Sequence, residues 1–122
     1  MNMVWLMVAI VVFSGLAMLV CSIHQRMAET KGLTLLVSNL SEEQRRQYEA
    51  FGYFDAIGSI TGKRYRIHHG NSRNVVQLGS GNLPSGRCFA PRGDLVPGDC
   101  MLAQKIAIEN YEAEVLTKAL PF

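Results

Sequence analysis

The sequence predicts a single N-terminal transmembrane helix plus a small α+β domain, ordered as a helix, a three-stranded antiparallel β-meander and a C-terminal helix. Three observations lead there. All 12 Lys and Arg and all 10 Asp and Glu lie after Ile23, so the first 23 residues carry no charged side chain. Between residues 63 and 90, short alternating runs are separated by turn residues. From Cys100 to Leu120 nothing breaks a helix, and Pro121 ends it. The chain divides into a transmembrane anchor over 1–23, a juxtamembrane segment over 24–40 and the α+β domain over 41–122. Of its 122 residues, those left after a membrane span suffice for one small domain.

Residues 3–23 are almost wholly apolar. As a helix they span about 31 Å, the thickness of a bilayer's hydrocarbon core. A cleaved signal peptide would need a basic start and a shorter core, and neither is present. A lipoprotein signal ending at Cys21 would want a small residue where Val20 stands. A buried core helix of this length does not fit so small a protein. Ser14, Gly15, Ala17 and Cys21 are small positions that allow close helix contact within the membrane. Arg26 and Lys31 flank the C-terminal side and no basic side chain flanks the other. The positive-inside rule therefore places the N-terminus outside and the domain in the cytoplasm, which in a bacterium means the inner membrane.

The juxtamembrane stretch, with Leu33, Leu35, Leu36, Val37 and Leu40, either lies on the membrane or docks on the domain. Asn39-Leu40-Ser41 has the form of a glycosylation sequon, but Ser41-Glu42-Glu43-Gln44 is better read as a capping box that starts a helix. Gly52 offers that helix its stop. Residues 63–69 then alternate, with Tyr65 and Ile67 on one face and Arg64, Arg66 and His68 on the other. Gly70-Asn71-Ser72 makes a turn. Strands over 73–78 and 87–90 complete the meander. Asp99 is placed as the N-cap of the last helix. Its apolar face holds Leu102, Ile106, Ala113 and Leu116, widened by Ile108 and Val115. Gln104, Lys105, Glu109, Glu112 and Lys118 form the polar face.

Tyr65-Arg66-Ile67, Asn74-Val75, Cys88-Phe89, Pro91 and the run from Gly98 to Lys105 (GDCMLAQK) together resemble a motif string of small uncharacterised bacterial proteins. The match covers about residues 58–119. The resemblance implies a β-meander followed by a helix and carries over no activity and no functional residue.

Candidate chemistry is sparse. Gly58-Ser59-Ile60-Thr61-Gly62-Lys63-Arg64 suggests a phosphate loop, but only three residues separate the glycines and Arg64 stands where a magnesium-binding Ser or Thr belongs. Its glycines are better read as a turn. His68, His69, Cys88 and Cys100 lack the paired short spacing of a zinc site, and neighbouring strand histidines point apart. A nucleophilic Cys88 or Cys100 would need a histidine base, with Asp94 or Asp99 to orient it, and no spacing argues for that. His24 is read as an interfacial polar residue rather than a haem ligand. A Cys88–Cys100 bridge requires an oxidising compartment, which the cytoplasmic orientation denies. No cofactor and no enzymatic activity are expected.

Charge carries the strongest signal. Between Ala56 and Gly93 stand Lys63, Arg64, Arg66, Arg73, Arg87 and Arg92, with no acidic residue among them. These could face anionic lipid head groups or an acidic protein surface, or pair internally with Glu109, Glu112 and Glu114. Nucleic acid fits least, since the net charge is only +2 and stacking aromatics are few there. The expectation is a non-enzymatic accessory or structural subunit of a larger integral membrane complex. The alternative is a membrane-tethered regulatory or binding module that reads an anionic partner or lipid through the basic strands.

Overall fold

The structure is a computed structural model and describes residues 2–79, 85–89 and 93–121. Helix α1 (Met3–Asn39) is a single helix of 37 residues, about 56 Å long. The juxtamembrane stretch is its last turns. They dock on the domain, with Gly32 and Leu36 buried on α1 and Leu40 buried just beyond it. The apolar half is long and hydrophobic enough to cross a membrane, with mean hydropathy 2.7, and none of it is buried against the protein.

Helix α2 (Glu42–Phe51) starts on the expected capping box. The Ser41 hydroxyl accepts from the Gln44 amide at 3.2 Å, and the Gln44 side chain accepts from the Ser41 amide at 3.0 Å. Gly52 ends it in the left-handed conformation, φ 76°.

An antiparallel sheet follows, in sequential order: β1 (Tyr53–Ile57), β2 (Arg64–His68), β3 (Val75–Gln77) and β4 (Ser85–Cys88). The three expected strands are β2, β3 and β4. The three-stranded meander is thus corrected to four strands, with a two-residue β5 (Leu120–Pro121) closing on β4. Strand β1 escapes the sequence reading because Asp and Ala are poor strand formers and both its faces carry large side chains. Register aligns Phe54, Ile67, Val75 and Arg87 in one row and Ala56, Tyr65, Gln77 and Ser85 in the next. Phe54, Ala56, Tyr65, Ile67, Val75, Gln77 and Arg87 face the helices. The opposite face carries Tyr53, Asp55, Ile57, Arg64, Arg66, His68 and Val76.

Helix α3 (Pro97–Lys118) covers the inner face. It begins earlier than expected, so Val96 and not Asp99 is its N-cap, and Pro97 occupies the first turn. Asp99 stands inside that first turn, where the helix dipole favours it. The buried stripe also differs from the expected one. It runs Met101, Gln104, Ile108, Glu112, Val115 at steps of three and four, while Ile106 and Ala113 face outward. Leu102, Ile108, Val115 and Leu116 pack inward as expected, whereas two polar residues, Gln104 and Glu112, join the stripe, which a count of apolar positions leaves out. A kink at Tyr111 (φ −134°, ψ 39°) immediately precedes Glu112.

Helices α1 and α3 run in the same direction. Gly98 meets Gly32, and further along Gln44, five residues beyond α1, donates to Glu109 at 3.0 Å. The core between helices and sheet gathers Leu36, Leu40, Phe54, Tyr65, Ile67, Val75, Met101 and Ile108. The edge of β1 is closed by α2. The Gln47 side chain accepts from the Asp55 amide at 2.8 Å and the Gln44 side chain donates to the Asp55 carbonyl at 2.9 Å. Two glutamine amides thereby take the place of a neighbouring strand.

Candidate functional site

The loop that resembles a phosphate loop in sequence wraps an anion, and the anion is the protein's own. The backbone amides of Ile60 and Thr61 both donate to Glu112 Oε2 at 2.8 Å. The Thr61 hydroxyl and the Tyr65 hydroxyl, the latter at 2.9 Å, donate to Oε1. Successive backbone amides in a turn make a natural anion cradle. Gly58 leaves the room for it, since a Cβ there would lie 2.4 Å from the carboxylate. Gly62 holds φ at 67°, which closes the turn. Burial pushes the Glu112 carboxyl up, but the hydrogen bonds from Thr61, Ile60 and Tyr65 outweigh it and hold its pKa down at about 2. Burial and the bond to Glu112 push the Tyr65 phenol up to about 12. A second buried polar knot pairs the Gln104 and Asn74 side-chain amides at 2.8 and 2.9 Å, with Gln104 also donating to the Phe89 carbonyl. Both knots are satisfied internally and lock α3 to the sheet.

The outer face of the sheet is organised differently. Arg66 forks onto Asp55, Nε to Oδ1 at 2.9 Å and a terminal nitrogen to Oδ2 at 3.2 Å. Arg64 stands 4.0 Å from the same carboxylate. Burial pushes the Asp55 carboxyl up, yet the Arg66 bonds, the Gln47 contact and the two guanidinium charges leave it below the usual range. The Arg66 guanidinium also lies 4.1 Å above the Tyr53 ring centroid. Phe51 stacks on Tyr53 at 5.4 Å, and His68 meets Tyr53 edge-on at 5.4 Å. Phe51 is 68% exposed and Ile57 49% exposed. Aromatic rings around an arginine, held in place and open to solvent, have the composition of an interaction hot spot.

The basic residues do not form one patch. Arg64 and Arg66 share Asp55 on the outer face. Arg87 lies on the inner face beside Val75, and its Nε is buried without a hydrogen-bond partner among the described residues. Lys63 is exposed near the Glu112 loop, and Arg73 is exposed on the β2–β3 turn at the other end of the sheet. Arg92 lies outside the described residues. None of these is ion-paired with Glu109, Glu112 or Glu114 among the described residues: Glu109 takes Lys105 at 2.6 Å, and Glu112 takes the loop. In α1, Ser14, Ala17 and Cys21 share a helix face, and Gly15 lies about 100° round from Ser14. All four are exposed. Cys88 and Cys100 are unbridged, and the buried Cys100 thiol donates to the Asn71 carbonyl at 3.6 Å. Among the described residues no three of His, Cys, Asp and Glu gather as a metal-holding group.

The juxtamembrane stretch docks on the domain, one of its two expected placements, through a glycine contact that the sequence does not single out. A Cβ on Gly98 would lie 2.4 Å from the Gly32 carbonyl carbon and 2.5 Å from the Leu33 nitrogen, so the two helices touch backbone to backbone. Its signal was a glycine in the first turn of one helix and a glycine inside another, neither at a chain turn. Asp55 escapes the sequence reading because its own strand, β1, does; Glu112, expected on a polar face and as a partner for the basic stretch, is held instead by the 58–62 loop and Tyr65. Compared with protein-family models, curated proteins and solved structures, the chain matches none.

Proposed function

We propose that the chain is a non-enzymatic accessory subunit of a larger membrane complex, anchored by α1 and presenting the outer face of its sheet to a partner protein. The observation that carries this reading is the continuity of α1 into a close-packed glycine joint. Such a mount fixes which way the domain faces relative to the anchor, which matters for a part that must fit a neighbour. The exposed cluster of Phe51, Tyr53, Arg66 and His68 is the surface best suited to be faced outward. The buried titratable groups, Glu112 and Tyr65, are spent on holding α3 to the sheet, which supports a structural role over a catalytic one. The placement that goes with this reading is a bacterial inner membrane, the N-terminus outside and the domain in the cytoplasm, on the strength of Arg26 and Lys31. The alternative, recognition of an anionic partner by the basic strands, has less support, because Asp55 engages Arg66 and Arg64 and Arg87 faces inward.

The test is purification from membranes in mild detergent. The full chain co-migrates with a larger complex, and Phe51→Ser, which alters an exposed ring outside the core, weakens that association by about tenfold or more while the protein stays in the membrane fraction. Migration of the native chain alone would refute the reading.

A further inference from the structure

Helices α1 and α3 rise together, from Gly32 beside Gly98 to the level of Gln44 and Glu109. The sheet follows the same direction. His68 and Asn74 sit level with Gln104, whose amide pairs with the Asn74 side chain. Ile57 and Arg64 adjoin the loop of residues 58–62 that holds Glu112, about 12 Å further along α3. From His68 to Arg64 the strand covers about 13 Å, so β1 and β2 run alongside the helices. Register partners therefore stand side by side at one height. On the outer face these are Tyr53 with His68, Asp55 with Arg66 and Ile57 with Arg64. Two copies inserted in one membrane in the same sense are related by a two-fold axis along the membrane normal, close to the direction of α1 and hence of these strands. Charge selects where that axis passes. Along β2 it would set Arg66 against Arg66 of the second copy, and along β1 Asp55 against Asp55. Between the two strands it sets Asp55 of each copy against Arg66 of the other, so four charges alternate in sign. Ile57 then meets Arg64 of the second copy. The Arg64 side chain is 62% exposed and stands 4.0 Å from Asp55. Across the axis it comes beside Glu43, which lines the same cleft as Ile57 and has no ion pair among the described residues. The exposed Phe51 and Ile57 are covered by the same approach, and sheets packed face to face keep their strands aligned in this way.

We propose that the outer face of the sheet pairs with the same face of a second copy of this chain, about a two-fold axis that runs between β1 and β2. The pairing rests on the reading that this face meets a protein, and it names that protein. Both copies keep their anchors in one membrane, on opposite sides of the paired sheets.

The test co-expresses two differently tagged forms of the full chain and recovers one tag from membranes in mild detergent. Wild-type copies recover each other. The double variant Asp55→Arg with Arg66→Asp keeps the bridge with its ends exchanged, and its copies also recover each other. In a mixed pair, wild-type Asp55 faces the acid at position 66 and Arg66 faces the base at position 55, so mixed recovery falls by about tenfold or more. Mixed recovery equal to matched recovery, or a folded double variant that does not recover itself, overturns the pairing. If the double variant loses its tyrosine near-ultraviolet circular dichroism, Glu43→Arg and Arg64→Glu replace it as single changes at exposed positions. Each then recovers the other and not itself, and equal self-recovery overturns the pairing. Wild-type copies that never recover each other, in a chain that still co-migrates with a larger complex, overturn the pairing and leave the accessory-subunit reading standing. Matched copies that recover each other and migrate with nothing else do the reverse.

Discussion

Glu112→Gln isolates the charge inside the loop of residues 58–62. A glutamine can set its carbonyl on the Ile60 and Thr61 amides and turn its NH₂ toward the two hydroxyls, so the shape of the knot survives. What is lost is the ionised acceptor. Holding the carboxyl at about 2 against an ordinary 4.5 corresponds to a stabilisation on the order of 3 kcal/mol at neutral pH. The sign is that of a depressed carboxylate. The stabilisation is complete above pH 4.5 and is lost as pH falls toward 2. With a urea slope of about 1–3 kcal/mol per molar, the unfolding midpoint at pH 7 drops by about 1–3 M. The tyrosine near-ultraviolet circular dichroism of the full chain in detergent micelles reports it, because those bands follow fixed tertiary packing. The wild type and the variant converge as the pH is taken from about 5 to about 2, since the wild type gives up what the variant never had. Equal midpoints at neutral pH, or curves that stay parallel through the acid window, would show that the cradle contributes nothing and that the argument from geometry is wrong.

Two further outcomes follow from the same packing. Gly98→Ala forces a methyl into the backbone of Gly32 and Leu33. It costs about 1–3 kcal/mol or separates the helices, read as accelerated amide exchange at residues 32–40 with the Glu112 loop unaffected. At the alkaline end, the Tyr65 phenol, raised to about 12, contributes stability that is complete below pH 10 and is lost as pH rises toward 12; Tyr65→Phe flattens that limb of the pH–stability curve.

Much of this fold was legible because several local signals agree. The capping box at Ser41 and the left-handed Gly52 bracket α2 as the sequence predicts. The alternation of Tyr65 and Ile67 against Arg64, Arg66 and His68 is the observed pleat of β2. What was not legible depended on tertiary partners. In β1, the alternation of Phe54 and Ala56 against Tyr53, Asp55 and Ile57 is present, but Ile57 and Tyr53 put large side chains on the solvent face and blur the period. In α3, Gln104 and Glu112 are polar by composition and buried by position, because Asn74 and the loop of residues 58–62 supply their hydrogen bonds. A hydropathy count sees the residue and not the partner. The candidate site suffered the same way. A run of basic residues reads as one patch in one dimension, whereas the pleat sends Arg87 to one face and Arg66 to the other, and an unread Asp55 claims Arg66.

The rigid mount leads to a prediction that tests which way the domain faces. Each helical residue turns the chain by about 100° and lifts it by about 1.5 Å. One alanine inserted between Met27 and Ala28, in the exposed stretch before the glycine joint, rotates the whole domain by about 100° and leaves its own contacts intact. Association with the partner complex is then lost while the urea midpoint is unchanged. Seven inserted residues turn the domain by about 700°, within about 20° of two full turns, and raise it by about 10 Å. The sheet again faces its original direction, with the domain about 10 Å further from the anchor. Partner association by the seven-residue variant should recover over the one-residue variant. Were both insertions to leave association intact, the domain would be acting as a tethered body free to find its own orientation. The continuity of α1 through Gly32 would then hold the fold together without directing it.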